Sequence, residues 1–186
     1  IQWVLEREVF SDQHKELASA VEHAGHNVVW WDDHWIDTEV PKKYMNAPTV
    51  FHGSLGNAEY IRSHVNWHPG SICTTENFYC DAWYSQIPEY LVNAQWVKTT
   101  VKNVVENSFE IVSFAGNDEH VFIRPNSPLK PFSGRVLALS DISYQALDHG
   151  FYYDDKDLDI IVAPIRKIGL EWRLIVMLEK IIAGSA

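Results

Sequence analysis

The stretch VFIRPNSPLKPFSG at residues 121–134 decides how this chain is interpreted. A β-type run ends in Arg124, and a proline-flanked loop then carries Lys130. Pro125 favours extended backbone at Arg124, so the guanidinium leaves the strand in a defined direction and can grip a phosphate with two hydrogen bonds. The alternatives are a structural ion pair for Arg124 and an ordinary solvated position for Lys130.

Two further β-type runs follow, IVAP at residues 161–164 and EWRLIV at residues 171–176. Glu171 and Arg173 are two positions apart, so they point to the same face of the second run. Because a charge in an apolar strand needs a partner, we expect either a local ion pair that holds the sheet together or an arginine on a cleft floor, held in place by Glu171. The first run stops at Pro164, where backbone groups are free to meet a purine edge, although many strands simply end in proline.

Two guanidiniums and one ammonium at the ends of adjacent strands predict a site for a polyanion, and a nucleoside triphosphate fits best. Ser133 and Gly134 leave backbone amides accessible beside Lys130, although the loop lacks the GxxxxGK[ST] pattern. A second turn, GSLGN at residues 53–57, suits phosphate binding at a helix start. A plain strand-to-helix turn is the simpler interpretation of that segment.

Composition restricts the class of protein. The chain has 186 residues, 46% of them hydrophobic, and a formal net charge of −10. It can therefore build a proper core, and its acidic balance without a basic stripe argues against nucleic acid as a partner. Cys73 and Cys80 match neither a zinc site nor a disulfide scaffold, which indicates a reduced, intracellular setting. No apolar run approaches the ~20 residues of a membrane helix.

No metal site is predicted within the chain. The nine histidines show no metal-binding spacing, and the sequence indicates neither a Ser-His-Asp nor a Cys-His set. The acidic segment around Asp154 and Asp155 continues through Asp157 and Asp159. It fits no calcium-binding loop register, so a solvated acidic turn is favoured over a cation site.

The first half of the chain alternates strands and helices. Residues 1–5 and 27–31 read as strands around a helix that Ser11 caps and Gly25 ends, which predicts a parallel sheet with a right-handed crossover. A third strand at residues 48–53 precedes a helix capped by Ser54. Residues 67–77 read as a loop. Residues 80–93 read as a helix that Pro88 interrupts.

The second half is rich in β-type runs, at residues 120–124, 158–163, 171–178 and 180–183. Residues 95–114 receive no assignment, and Ser140 is expected to cap a short helix that ends at Leu147. The sequence thus predicts a mixed α/β (α+β) chain with a boundary near residue 95.

The segments FIRP, SPLKPFSG, IVAP, EWRLIV and IIAGSA, taken together, resemble the ATP-grasp superfamily. The closest resemblance is to a divergent clade of phages and bacteria that is named for two arginines and a lysine, and it extends from about residue 50 to the end. The resemblance implies a Rossmann-like pre-ATP-grasp domain in residues 1–95. It implies the N-terminal part of an ATP-grasp module in residues 96–186.

The resemblance also implies roles for individual residues. Arg124, Lys130 and Arg173 would contact the triphosphate, with Lys130 and Arg173 acting in catalysis. Ser133 and Gly134 would take the place of a glycine-rich flap. Val162, Ala163 and Pro164 would lie along the adenine. Glu171 would support Arg173.

The implied activity is that of an ATP-dependent ligase that joins a carboxylate to an amine or thiol through an acylphosphate, with peptide tagging as one form. Its cofactors would be ATP and Mg²⁺, its partners a nucleotide and a carboxylate or peptide substrate, and its location the cytoplasm, or the host cytoplasm for a phage protein. The chain stops just after the family's Gly-Ser segment, so the metal ligands are expected beyond Ala186. Two alternatives stay open: a non-catalytic interaction protein, such as a phage accessory or virion component, and a kinase-like phosphotransferase.

Overall fold

The computed structural model describes residues 1–7, 13–71, 74–115, 119–147 and 155–186. Its contacts divide the chain into two units. Unit 1 comprises Ile1–Trp83 with Ser127–Lys130, and unit 2 comprises Tyr84–Asn126 with Pro131–Ala186. The observed division therefore falls before the boundary that the sequence placed near residue 95.

Unit 1 is built on a parallel sheet of four strands in the order β2-β1-β3-β4. The strands are β1 (Gln2–Leu5), β2 (Asn27–Trp30), β3 (Thr49–His52) and β4 (Pro69–Gly70). The helices that follow them are α1 (Gln13–His23), α2 (His34–Asp37) and α3 (Leu55–His64). The predicted β-α-β start of the chain is confirmed.

Local sequence signals set the ends of two helices in unit 1. Gly25 adopts a φ of +76°, a backbone conformation that glycine takes without a steric cost, directly after α1. Ser54 caps α3, because its Oγ accepts a hydrogen bond from the Asn57 amide at 3.3 Å. Both signals were expected from the sequence, whereas the predicted cap Ser11 lies outside the described residues.

The core of unit 1 is strongly aromatic. Its buried members are Val4, Trp31, Phe51, Ala58, Ile61 and Trp67. The Trp31 ring meets its aromatic neighbours edge-on, with centroid separations from 5.3 Å to 6.4 Å. This is the edge-to-face geometry that aromatic rings prefer. These tryptophans therefore serve packing.

Unit 2 is built on an antiparallel sheet of four strands in the order β5-β8-β6-β7. The strands are β5 (Val97–Thr100), β6 (His120–Pro125), β7 (Arg135–Ala138) and β8 (Asp159–Pro164). The helices are α5 (Val101–Glu106) and α6 (Val112–Ala115), and unit 2 begins at Tyr84, the last residue of α4 (Cys80–Tyr84). The Thr100 hydroxyl caps α5 by accepting from the Asn103 amide at 3.1 Å.

One face of this antiparallel sheet forms the core of unit 2. Alternate residues of β6 and β8 point into it, namely Val121, Ile123, Ile160 and Val162, all fully buried. They pack with Val101, Val104, Ile111, Ala115, Phe132 and Leu147. Because side chains alternate along a strand, the residues between them lie on the opposite face, which carries the candidate site described below.

A separate two-stranded antiparallel sheet ends the chain. It pairs β9 (Arg173–Met177) with β10 (Lys180–Ser185). Every residue of both strands is exposed. Both strands were predicted, with boundaries that differ by one or two residues.

Several elements depart from the sequence interpretation. The predicted loop at residues 67–77 contains β4 and a 3₁₀ turn at Thr75–Phe78, and β7 was not predicted. The helix expected after Ser140 is wrong, because this region forms a 3₁₀ turn at Leu139–Asp141. The Ser140 hydroxyl donates to Asp141 Oδ1 at 3.1 Å instead of accepting from a helix amide. Among the helices that the structure describes, none is both long and apolar enough to cross a membrane.

Candidate functional site

The face of the unit 2 sheet that lies opposite its core carries a cluster of basic and aromatic side chains. On β6 the residues alternate in burial, so Val121 and Ile123 point into the core, while Phe122 and Arg124 are half-buried on the other face. The strand and its last basic residue were predicted correctly. The register of the sheet therefore directs the Arg124 guanidinium away from the core.

A second cation, Lys98, lies on the same face of the sheet, across β8 from Arg124. Ile161 on β8 pairs with Arg124 on one side and with Lys98 on the other. Directly opposite residues of antiparallel strands point to the same face, so two cations flank the apolar side chain of Ile161. Two strand spacings place the Cα atoms of Lys98 and Arg124 about 10 Å apart.

Arg124 is positioned by an aromatic side chain. Its Nη1 donates to the Tyr84 hydroxyl at 3.3 Å, and the Tyr84 ring packs edge-on against Trp96 with 5.6 Å between centroids. Among the described residues, no carboxylate lies within ion-pair distance of Arg124. The structural ion pair considered from the sequence is therefore not observed, and the half-buried guanidinium remains available to an anion.

Lys98 contacts an acidic side chain of the neighbouring strand β8. Its Nζ lies 2.8 Å from Asp159 Oδ2, and both side chains are exposed by about two fifths, 40% and 44%. Exposed pairs of this kind contribute about 0–1 kcal/mol, since water and salt screen them. This contact with Asp159 therefore does not by itself prevent Lys98 from meeting a phosphate.

The segment predicted to lie along adenine divides between the two faces of the sheet. Ile161 and Ala163 lie on the face of Arg124, whereas the Val162 side chain packs in the core. Pairing with β5 begins opposite Val162, so Ala163 and Pro164 extend beyond that strand on the β5 side. The side chains of Val162 and Ala163 are both buried, and the predicted role of this segment along adenine stays a prediction.

In the loop after β6, the backbone of Gly134 lies close to Phe122 and Arg124 on the same face of the sheet. A Cβ placed on Gly134 would lie 2.7 Å from Phe122 Cζ and 3.6 Å from Arg124 Cβ, so only glycine fits without movement of the ring. Ser133 is exposed, as the prediction of an accessible loop requires.

Lys130 belongs to the part of this loop that groups with unit 1. The residue is exposed, with a φ of +47°, and its amide donates to the Ser127 carbonyl at 3.2 Å. The structure thus gives Lys130 a left-handed turn conformation that the sequence did not indicate. Its predicted role at the triphosphate stays a prediction.

Arg173 begins β9, and Glu171 lies in the segment before that strand. The local ion pair that was one of the two alternatives for them is not observed, since no ion pair within the described part of the chain joins the two. Both are exposed, so solvation removes the need for a partner that a buried charge would have. The predicted role of Arg173 at the triphosphate stays a prediction as well.

Sequence reasoning missed three residues of this face, Tyr84, Trp96 and Lys98. The signal for Lys98 was present, because VKTT at residues 97–100 is β-branched at three of its four positions and ends in a helix cap. Nothing in the local sequence around Tyr84 indicates its contact with Arg124, which lies 40 residues away. Within the described residues, no group of three His, Cys, Asp or Glu side chains is arranged to hold a metal ion.

Solved structures share this fold. The chain is similar to an ATP-grasp RimK-domain protein from Sphaerobacter thermophilus, with a TM-score of 0.61 and 12% identity over 99% of this chain and 72% of that one. It is similar to the D-cycloserine synthetase DcsG, with a TM-score of 0.57 and 14% identity over 89% of this chain and 59% of that one. It is also similar to D-alanyl-alanine synthetase A from Vibrio cholerae, with a TM-score of 0.56 and 14% identity over 97% of this chain and 64% of that one.

These similarities establish the ATP-grasp fold, a mixed α/β architecture with one parallel and one antiparallel sheet, as the sequence resemblance predicted. The chain spans less than two thirds of the two synthetases. No protein-family model and no curated protein sequence matches the chain.

Proposed function

We propose that this chain carries the nucleotide-binding part of an ATP-dependent ligase. The observation that carries the proposal is the half-buried Arg124, which has no carboxylate partner among the described residues. Arg124 and Lys98 pair with the same residue of β8, Ile161. A guanidinium and an ammonium carried by residues whose Cα atoms lie about 10 Å apart can contact different phosphates of one triphosphate. Ile161 and Ala163, which lie between and beside them in the sheet, are buried.

The proposed reaction has two steps. A carboxylate oxygen of the first substrate attacks the γ-phosphorus of ATP, ADP leaves, and an acylphosphate forms. The amine or thiol of the second substrate then attacks the acyl carbon and releases phosphate. Arg124 and Lys98 would neutralise the charge that develops on the transferring phosphoryl group, which is the main catalytic contribution that fixed cations make.

The sequence resemblance adds further residues to this proposal. Lys130 and Arg173 would complete the set of cations, and Ser133, Gly134 and Glu171 would support it. Mg²⁺, when bound, would supply further positive charge at the phosphates, and no cluster among the described residues provides its ligands. The finer assignment to the phage and bacterial clade, with a peptide as substrate, rests on the resemblance alone.

The direct test is isothermal titration calorimetry of the chain with Mg-ATP. The wild-type chain should bind, and Arg124→Ala should weaken binding at least tenfold, because it removes a charge-assisted contact. Lys102→Ala removes an exposed cation from α5 and should bind as the wild type does. Absence of Mg-ATP binding by the wild-type chain would contradict the proposal and favour the non-catalytic interaction protein.

The reaction class is tested separately with hydroxylamine. An acylphosphate is trapped by hydroxylamine as a hydroxamate, whereas a kinase-like phosphotransferase leaves a stable phosphate ester. Where the metal ligands are also present, candidate carboxylates incubated with Mg-ATP should therefore yield hydroxamate and ADP. A stable phosphate ester as product would replace the ligase with the phosphotransferase.

A further inference from the structure

A cavity of about 470 Å³ opens at the carboxyl end of the parallel sheet in unit 1. Its lining comes from two loops, one after β1 and one after β2. In open parallel sheets, ligands bind outside the carboxyl ends of the strands, at the point where the strand order reverses. The strand order reverses between β1 and β3 in this sheet, so the β1 side of the cavity borders that point.

Three tryptophans provide the apolar wall of this cavity. Trp30 and Trp35 are half-buried, and Trp31 is buried and packs edge-on against Trp35 with 5.3 Å between centroids. The Arg7 guanidinium lies 4.9 Å from the Trp30 ring centroid, so this wall already holds one organic cation. Aromatic faces attract such cations, and tryptophan does so most strongly.

The charge of the lining decides which ligand the cavity accepts. Glu6, Asp32 and Asp33 contribute three carboxylates, and Arg7 contributes one cation, which leaves an excess of two negative charges. An anionic ligand is repelled by this excess. A cationic ligand restores the balance.

The three carboxylates are held in place but retain acceptor capacity. Each accepts hydrogen bonds at one oxygen: Glu6 Oε2 from the Ser54 amide at 2.8 Å, Asp32 Oδ1 from the His34 amide at 3.0 Å, and Asp33 Oδ1 from Trp31 Nε1 at 2.7 Å and Asn57 Nδ2 at 3.1 Å. Within the described residues, the second oxygen of each carboxylate receives no hydrogen bond from the protein. A carboxylate can accept several more bonds there, so an ammonium or a guanidinium has ready partners.

We propose that this cavity binds an organic cation, a primary ammonium or guanidinium group on an apolar stem. The stem packs against Trp30 and Trp35, and the charged head meets Glu6, Asp32 and Asp33. The cation should bind at this site whether or not a nucleotide is bound to the chain. The role of the cation as the amine-bearing acceptor rests on the proposed ligase function.

The test uses pentylammonium as the probe, without nucleotide, with ¹H–¹⁵N NMR of the tryptophan indole groups as the readout. The indole signals of Trp30, Trp31 and Trp35 should shift together in a saturable titration. Pentanol and hexanoate match the stem but carry no charge and a negative charge, respectively. Both should bind at least tenfold more weakly than pentylammonium, and equal binding of pentanol would overturn the proposal.

Two asparagine substitutions locate the site. Asp32→Asn removes one charge from the cavity and should weaken pentylammonium binding at least fivefold. Asp37→Asn removes an exposed charge from α2, outside the lining, and should leave binding unchanged. An equal effect of the two substitutions would show that only the overall acidity of the chain attracts the probe, and the proposal would fail.

The same preparation is titrated separately with Mg-ATP, so the two proposals fail independently. Pentylammonium binding without Mg-ATP binding would leave the cation site in place and remove its role as an acceptor site. Mg-ATP binding without a pentylammonium response would remove the cation site and leave the proposed ligase function.

Discussion

Arg124 and Lys98 pair with the same residue, Ile161, from opposite sides of the central strand β8. Their separation is therefore set by the register of three hydrogen-bonded strands and not by a loop. Basic groups held in this way need little reorganisation when a polyphosphate binds, which is the condition for effective electrostatic stabilisation. The two residues can be tested one at a time, because their other contacts differ.

Lys98→Ala should lower the affinity for Mg-ATP at least tenfold, because it removes a charge-assisted contact worth about 1.5–3 kcal/mol. Its midpoint of thermal unfolding should stay close to that of the wild type, since the exposed pair with Asp159 contributes little. Calorimetry with Mg-ATP and a thermal melt check both expectations, and Lys102→Ala serves as the matched control. Unchanged affinity in Lys98→Ala would exclude Lys98 from the site.

Asp159→Asn should have the opposite effect on binding. The substitution removes the anion that lies 2.8 Å from Lys98 Nζ and so competes with phosphate for that ammonium. The affinity for Mg-ATP should stay the same or rise by up to a few-fold, as expected for an exposed pair worth about 0–1 kcal/mol. Calorimetry again provides the measurement. A fall as large as that in Lys98→Ala would mean that Asp159 itself supports the bound nucleotide.

The sequence predicted Arg124 but not its partners, and the difference has a physical cause. The strand of Arg124 is signalled locally by the apolar run VFI and by Pro125. Lys98, by contrast, joins the site through pairing with Ile161, which lies 63 positions later in the chain. Pairing between distant strands leaves no trace in the sequence around either residue. For Glu171 and Arg173 the spacing left a local ion pair open as one alternative, and solvent exposure makes such a pair unnecessary.

Gly134→Ala should destabilise the chain by about 1 kcal/mol, because the new Cβ would lie 2.7 Å from Phe122 Cζ and 2.9 Å from Phe122 Cε2. Phe122→Leu shortens the ring side chain and should remove most of that cost in the double variant. Chemical denaturation of both single variants and the double variant gives the coupling energy.

Gly169→Ala is the matched control for this prediction, since a Cβ at that position meets nothing within 4 Å. Its stability should equal that of the wild type within about 0.5 kcal/mol. A cost in Gly134→Ala that Phe122→Leu does not reduce would show that the close approach to the ring is not its cause.

Ser54→Ala should cost about 1 kcal/mol, because it removes the acceptor for the Asn57 amide at the start of α3. Ser140→Ala should change stability by less than about 0.5 kcal/mol, since the Ser140 hydroxyl is exposed and bonds only to the neighbouring Asp141 carboxylate. Both serines looked like helix caps in the sequence. The comparison by chemical denaturation therefore separates a cap that forms from one that does not, and equal costs would contradict the structure.

The carboxylate of Glu59 lies at the centre of a charged network that ties α3 to the 3₁₀ turn at Thr75–Phe78. Arg62 binds it through two nitrogens, with distances of 2.6 Å and 3.2 Å, and the Thr75 hydroxyl donates to it at 2.7 Å. These hydrogen bonds, with that of Arg62 the largest contribution, lower the pKa of Glu59 from 4.5 to about 2. A carboxylate pKa below the unfolded value stabilises the fold above pH 4.5, and the stabilisation is lost as the pH falls toward 2.

An NMR titration that follows the Glu59 side-chain carbon should therefore give a midpoint well below pH 4.5 in the wild type. Arg62→Gln removes the hydrogen bond that lowers the pKa of Glu59 most. The pKa should therefore rise most of the way back to the ordinary value of 4.5. Thr75→Val removes a hydrogen bond that lowers this pKa less, so it should raise the pKa of Glu59 by a smaller amount. A wild-type midpoint at the ordinary glutamate value, or a larger rise in Thr75→Val than in Arg62→Gln, would contradict the hydrogen bonds on which this prediction rests.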